Sequence, residues 1–503
     1  MLRKIRIVVS VLFFLLLTIF FLDFAGILPQ QFHVLAQLQF IPALLGLHLG
    51  IIVFLLILTF IFGRVYCSSI CPLGVYQDII SWISKKTQKK KRFKFKPALN
   101  ILRWSVTGVT LVAFIFGFTF LLGLLDPYAA YGRMTVHLFR PVYLAGNNLL
   151  ETIFTHFGNH TFYKLSVYIL SVSSLVVALI TLFSISILAW IDGRIYCNTI
   201  CPVGTTLGFV SRFSIFKIRI DNDLCNSCGT CARKCKASCI DTKAHSIDYS
   251  RCINCFDCME VCNQNAMKFK FARAKSEAKK PVDESKRRFM FALGVTGLAA
   301  GKVLADKTLI NKTENKAIRT KAISPPGSKS HEHLLTKCTS CHLCVSKCPS
   351  NVIKPAFTEY GLGGIMQPVL NFDDGFCNYD CTLCSEICPT SAIQRLTIEQ
   401  KHLTQTGQVH FIIDNCIVYT DENSCGACSE HCPTQAVSMI SYKNGLTIPH
   451  IETSICVGCG GCEYVCPAKP YKAIYVEGIK THKNIIIKKE KVKESIQVDD
   501  FGF

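Results

Sequence analysis

The sequence predicts a multi-domain chain in which a bundle of apolar helices is joined to small α+β modules built on cysteine. Three observations predict it: long apolar runs in the first 190 residues, six cysteine quartets after them, and a twelve-residue stretch repeated behind two of the runs. At 503 residues the chain exceeds what one core organises. Half its residues are apolar, yet the formal net charge is +21. That pairing suits membrane helices joined by basic loops, and it gives no reason to expect a nucleic-acid partner.

The runs come first. Residues 5–27, 41–62, 99–125 and 164–190 each hold eighteen or more residues with almost no charge, enough to cross about 30 Å of hydrocarbon. Between the second and third lies "SKKTQKKKRFKFK", with eight Lys or Arg in thirteen residues. Such a loop beside a span marks the cytoplasmic side. The N-terminus, with Arg3, Lys4 and Arg6, then faces the cytoplasm too, and Trp82, Trp104 and Trp190 fall at the same interface. The expectation is a four-helix transmembrane domain over 1–218.

The cysteines follow. Cys225, Cys228, Cys231 and Cys235 read C-x2-C-x2-C-x3-C, as do Cys252, Cys255, Cys258 and Cys262. The pattern recurs at Cys338, Cys341, Cys344 and Cys348 and at Cys456, Cys459, Cys462 and Cys466, each time followed by proline. Two looser versions lie between them: Cys377, Cys381, Cys384, Cys388, and Cys416, Cys425, Cys428, Cys432. This is the spacing of bacterial ferredoxins, in which three close thiolates hold three irons of one cubane and the fourth reaches the neighbouring cluster. Thiolate sulfur suits iron–sulfur clusters, and cysteines crowded three apart make a poor disulfide framework. Six 4Fe-4S clusters are therefore expected on these 24 cysteines. "CTSCH" at Cys338–His342 also matches a c-type haem attachment signature, but the run on to Cys344 and Cys348 completes the ferredoxin pattern instead. Crossed wiring in the first pair puts Cys262 with Cys225, Cys228 and Cys231, and Cys235 with Cys252, Cys255 and Cys258. For the last four quartets, sequential and nested pairing both fit. Cys239 is surplus and reads as structural.

The repeat accounts for the remaining four cysteines. "GRVYCSSICPLG" from Gly63 and "GRIYCNTICPVG" from Gly193 share eight of twelve positions. Each supplies C-x3-C-P: Cys67 and Cys71, then Cys197 and Cys201. In a helix, residues four apart share a face, and the proline would end or bend it. Two such halves make one four-thiolate site, read as a seventh iron–sulfur centre; two redox-inert pairs that structure helix ends are the other reading.

A cytoplasmic two-cluster module is expected over 219–270, then a basic linker over 271–330. Within the linker an apolar segment, 289–305, follows Lys286, Arg287 and Arg288 in the manner of a twin-arginine export signal. Residues 331–480 hold nine Lys or Arg against fourteen Asp or Glu, and are expected as a periplasmic four-cluster domain. A basic tail, 481–503, ends the chain.

With those motifs in view, the chain resembles a fusion of two families of ferredoxin-type electron-transfer proteins, NapH over about 1–270 and NapG over about 283–480; NosH and NosG are related. The NapG likeness includes the widened gap in "CIVYTDENSCGACSEHCP". The resemblance implies a protein of the bacterial inner membrane that passes electrons from menaquinol through 4Fe-4S clusters to a periplasmic cytochrome or terminal reductase, in nitrate or nitrous oxide respiration. It would then be either a quinol-oxidising subunit or a non-catalytic carrier. The alternative is a CcoG- or NosR-like assembly factor that delivers electrons to a metal site in a partner. Asp126, at the outer end of the third run, is the candidate acceptor of a quinol proton.

Overall fold

The computed structural model describes residues 1–23, 28–87, 93–165, 171–271 and 319–485. The twin-arginine-like segment 289–305 and residues 486–503 of the basic tail lie outside them.

The first run forms α1 (Leu2–Leu22), 21 residues and so about 32 Å long. The second run is broken. Leu47 takes a left-handed backbone (φ 55°), which separates α2 (Phe40–Leu45) from α3 (Leu49–Phe62). After α3 comes α4 (Pro72–Thr87). The third run breaks at Gly117 (φ 83°), between α5 (Asn100–Ile115) and α6 (Thr119–Leu125). The chain then reverses through α7 (Pro127–Met134), a wide π-turn over Thr135–Phe139 and α8 (Arg140–His156). The fourth run forms α9 (Val172–Asp192), and α10 (Pro202–Ser211) follows it.

Among the described residues, α1 and α9 are long and apolar enough to cross a membrane. With 14 and 16 residues, α3 and α5 reach only about 21 and 24 Å, short of about 30 Å of hydrocarbon. Four unbroken spans are thus not what forms. Hydropathy runs on across both breaks because apolar residues flank them, while a left-handed residue still ends the helix. The outer faces of α1 and α9 leave Val8, Leu12, Leu15 and Ile19, and Val176, Ile180, Phe183 and Ile187, exposed.

The first cysteine-rich unit has four strands: β1 (Phe216–Ile220), β2 (Ile240–Asp241), β3 (Ser246–Ile247) and β4 (Met267–Phe271). β1 pairs antiparallel with β4, placing Ile218 opposite Phe269, and β2 pairs with β3. Ile218, Ile240, Ile247 and Met267 are buried in one cluster with Cys235, Cys252 and Cys258. The second unit uses the same device: β5 (Ile353–Pro355) pairs with β6 (Pro368–Leu370), β7 (Thr404–Phe411) with β10 (Ile474–Asn484), and β8 (Val437–Ser441) with β9 (Thr447–Ile451).

The two units sit at opposite ends of α1. At its start, Arg3 pairs with Asp257 of the first unit at 2.9 Å. Just past its end, Asp23 pairs with Lys347 of the second at 2.5 Å. The second unit also meets the turn around α7: Arg133 donates to the Ser340 carbonyl (3.2 Å), and His137 Nε2 lies 2.7 Å from His342 Nδ1.

One partly buried base should make the second unit acid-sensitive. His482, on β10, bonds Ser324 Oγ at 2.8 Å, and burial, with His331 beside it, lowers its pKa to about 4. The unfolded chain takes up that proton below about 6.5 and the folded chain does not. The stabilisation is therefore complete above pH 6.5 and lost as pH falls towards 4, by about 3 kcal/mol in all. Replacing His482 with glutamine is expected to flatten the dependence of melting temperature on pH across that window.

Candidate functional site

Every feature of the repeated stretch has a structural task. Gly63 and Gly193 take left-handed conformations (φ 71° and 68°) that end α3 and α9. One short helical turn then carries Cys67, or Cys197. The helix does not continue through the motif, as the sequence reading had it. Pro72 and Pro202 instead open α4 and α10, and Cys201 caps α10 by accepting the Gly204 N–H (3.4 Å). Proline suits the first turn of a helix because its missing N–H would have no partner there.

The two copies are locked by an exchange of arginines. Arg64, of the first copy, donates to the Cys197 carbonyl (3.1 Å) and Asn198 Oδ1 (2.8 Å) of the second. Arg194, of the second, donates to the Cys67 carbonyl (2.8 Å) of the first. Both guanidinium groups are fully buried, and each approaches a thiol, Arg64 to Cys67 at 3.8 Å and Arg194 to Cys197 at 3.9 Å. Gln77 Nε2 reaches Cys197 Sγ at 3.2 Å. The closing glycines permit the approach: a Cβ on Gly204 would lie 2.0 Å from the Cys197 carbonyl oxygen, and one on Gly74 would lie 2.4 Å from that of Cys67. Cys67, Cys71, Cys197 and Cys201 are all buried and within electrostatic range of one another. This is a four-thiol site in which burial raises the pKa of Cys67, Cys71 and Cys201, and Arg64 and Arg194 offset only part of that at Cys67.

In the first cysteine-rich unit, Cys235 lies in range of Cys255 and Cys258, as crossed wiring requires. Cys225, Cys228 and Cys231 group together nearer solvent, and Cys262 packs in the same apolar cluster as Cys231. Cys239, read as structural, lies beside the ligand set. Its thiol sits 3.5 Å from that of Cys235, and it lines one cavity with Cys235, Cys252, Cys255 and Cys258.

The second unit pairs its quartets in sequence. Cys388 groups with Cys338, Cys341 and Cys344, and Cys348 groups with Cys377, Cys381 and Cys384. Likewise Cys466 joins Cys416, Cys425 and Cys428, and Cys432 joins Cys456, Cys459 and Cys462. The last two sets each line their own cavity among apolar side chains. The two pairs meet where the Cys377 N–H donates to the Cys459 carbonyl (2.9 Å). The sets therefore connect in the order 338/341/344/388, 348/377/381/384, 432/456/459/462, 416/425/428/466. The first of them faces α7, where a Cβ on Gly132 would lie 2.6 Å from the Cys341 carbonyl oxygen.

These sets fit iron–sulfur cubanes. Among the described residues no three Cys, His, Asp or Glu side chains close around a single ion. Four thiolates that each reach a different iron of one cubane must stand further apart than ligands of one ion. Burial raises the pKa of Cys344, Cys384 and Cys462, so metal uptake has to release their protons.

Asp126, the candidate proton acceptor, has its pKa raised by burial to about 7. It caps α7, accepting the N–H groups of Tyr128 (3.4 Å) and Ala129 (3.0 Å), and is 1 % exposed. His342, the last residue of CTSCH, is engaged between His137 and the Met366 carbonyl (2.9 Å). Arg64, Arg194 and Gln77 went unremarked, although both arginines stand inside the repeated stretch.

Comparison with known proteins agrees with this geometry. A 4Fe-4S binding domain matches residues 44–91 and 174–221, the two halves around the C-x3-C-P repeats. 4Fe-4S dicluster domains match 248–352 and 423–469. The ferredoxin-type protein NapF of Escherichia coli is 30 % identical over 155 residues, 31 % of this chain and 85 % of that protein. The putative electron transport protein YccM of the same species is 24 % identical over 48 % of this chain and 60 % of its own length. The methylamine utilization ferredoxin-type protein MauN of Paracoccus denitrificans is 28 % identical over 39 % and 54 %. No solved structure matches the chain. With its crossed cysteine sets and a relative of which it covers most of the length, the chain belongs to the ferredoxin-type family of iron–sulfur electron-transfer proteins.

Proposed function

We propose that the chain conducts electrons across the bacterial inner membrane, from menaquinol to a periplasmic cytochrome or terminal reductase of nitrate or nitrous oxide respiration, as a fused counterpart of NapH and NapG. The observation that carries this reading is the placement of the two cysteine-rich units at opposite ends of α1, about 30 Å apart along its axis. The apolar outer faces of α1 and α9 support a lipid surround. The polybasic loop and N-terminus put the first unit on the cytoplasmic side, which leaves residues 331–480 in the periplasm.

Bound 4Fe-4S clusters supply one-electron exchange. The residues hold six of them in the crossed sets, and Cys67, Cys71, Cys197 and Cys201 hold a seventh iron–sulfur centre between the units. Arg64 and Arg194 balance the negative charge of that buried thiolate set.

The test is protease accessibility of residues 331–480 in right-side-out spheroplasts, with and without twin-arginine export. Cleavage is expected only when export works. Protection under both conditions would overturn the transmembrane reading and favour an assembly factor confined to one side.

A further inference from the structure

The proposed quinol oxidation needs a place where the headgroup can sit beside a cysteine set, and Asp126 is a cap with both oxygens engaged. A cavity of about 260 Å³ lies elsewhere, where the loop before α5 and the start of the second C-x3-C-P copy meet the first cysteine-rich unit. Its lining includes Lys96, Leu99, Asp192, Ala237, Ser238 and Arg251. We propose that this cavity binds the quinol headgroup, with Ser238 holding one of its oxygens. This rests on the quinol donor of the proposed function and adds the site.

Three observations carry it. Ser238 is 7 % exposed, and its buried Oγ has no hydrogen-bond partner, although leaving a buried hydroxyl unpaired is costly. The residue is held in place by its backbone: its N–H donates to the Cys235 carbonyl (3.1 Å), and its carbonyl accepts the Lys96 N–H (3.3 Å). Second, Ala237 lines both this cavity and the cysteine cavity of Cys235, Cys252, Cys255 and Cys258. One alanine is the wall between them. Third, the opening adjoins apolar surface. Leu99 is 53 % exposed, and Ile101, Leu102 and Trp104 continue that surface along α5, where a hydrocarbon tail can lie.

Charge selects a neutral headgroup over a phosphate. Lys96 is already paired with Asp192 (2.6 Å), and Arg251 with Asp248 (2.7 Å). Neither cation is left over for an anion, whereas a quinol needs only hydrogen-bonding partners and an apolar wall. The chemistry balances. The two O–H bonds of the quinol break, giving the quinone, two protons and two electrons. The electrons leave singly to the iron–sulfur acceptor held by Cys235, Cys252, Cys255 and Cys258. The protons leave through the Asp192 carboxylate, next to the half-exposed Lys96, to solvent.

The experiment uses the full chain in detergent and a quinol analogue, 2-heptyl-4-hydroxyquinoline N-oxide, whose fluorescence is quenched on binding. Ser238→Ala is expected to weaken binding about tenfold, the loss of one good hydrogen bond. Leu99→Trp, at an exposed position that tolerates bulk, is expected to abolish it, while Asp126→Asn binds as the parent does. Binding unchanged in both cavity variants would overturn the site, and so would displacement of the analogue by phosphatidylglycerol, which would mark a lipid-phosphate pocket. A parent chain that does not quench at all would overturn the quinol donor itself, and the site with it.

Discussion

Replacing Asp78 with alanine is expected to destabilise the fold by about 3–5 kcal/mol, the cost of stripping one partner from a buried charge network. Asp78, on α4, is met by three cations: Arg194 Nε at 2.8 Å, Arg6 Nη1 at 3.0 Å and Lys236 Nζ at 3.3 Å. They come from the second repeat, from α1 and from the first cysteine-rich unit, so a single carboxylate ties three parts of the chain together. Burial alone would raise its pKa, but Arg194, Lys236 and Arg6 hold it well below the usual carboxylate range. The stabilisation is therefore complete above about pH 4 and disappears as pH falls towards the depressed value in the folded state. Lys236 follows Cys235 directly and also pairs with Asp257 at 3.1 Å, so the Asp78→Ala chain should loosen the first unit from the helices before it disturbs the second. Hydrogen exchange would read this as early opening at residues 216–271, with residues 331–480 still protected. Equal loosening of both units would show that the carboxylate is not the tie.

The cysteine chemistry was the most legible part of the sequence because thiolate spacing is a local property. Cys225, Cys228 and Cys231 are spaced to hold three irons of one cubane whatever surrounds them. Pairing between quartets is not local. Sequential and nested schemes place the same cysteines in the same short turns, and only the approach of Cys388 to Cys338 and Cys341, and of Cys466 to Cys416 and Cys428, separates them. The repeat was legible as a repeat, but the exchange of Arg64 and Arg194 was not, since each reaches a carbonyl more than 120 residues away. Hydropathy misled at the second and third runs, where apolar side chains continue through backbone reversals at Leu47 and Gly117. A periodicity argument senses side chains and is blind to φ. The capping role of Asp126 is itself legible: an acidic residue before proline at a helix start accepts backbone N–H groups.

Removing Cys388 is expected to empty the site that Cys338, Cys341 and Cys344 form, although Cys388 stands last in the following quartet. Removing Cys348 should empty the site of Cys377, Cys381 and Cys384 instead. Each single alanine variant is expected to lose one cluster's share of iron and its paramagnetic signal on reduction. The decisive case is the pair of doubles. Cys338 and Cys388 serve one site, so Cys338→Ala combined with Cys388→Ala should lose no more iron than either alone. Cys377→Ala combined with Cys388→Ala touches two sites and should lose two shares, since effects add only where positions are independent. Nested pairing predicts otherwise, because it would send Cys388 to the set of Cys416, Cys425 and Cys428, and the Cys338/Cys388 double would then lose two shares. The order of the sets sharpens the consequence. The site of Cys338, Cys341, Cys344 and Cys388 is the one that abuts α7 through Arg133 and Ser340, and it stands first in the row of four. Its loss should therefore leave the remaining three sites able to be reduced by a soluble chemical reductant, yet cut off from electrons arriving through the helices. A Cys388→Ala chain whose other three sites still fill with electrons from the helices would show that the row has a second entrance.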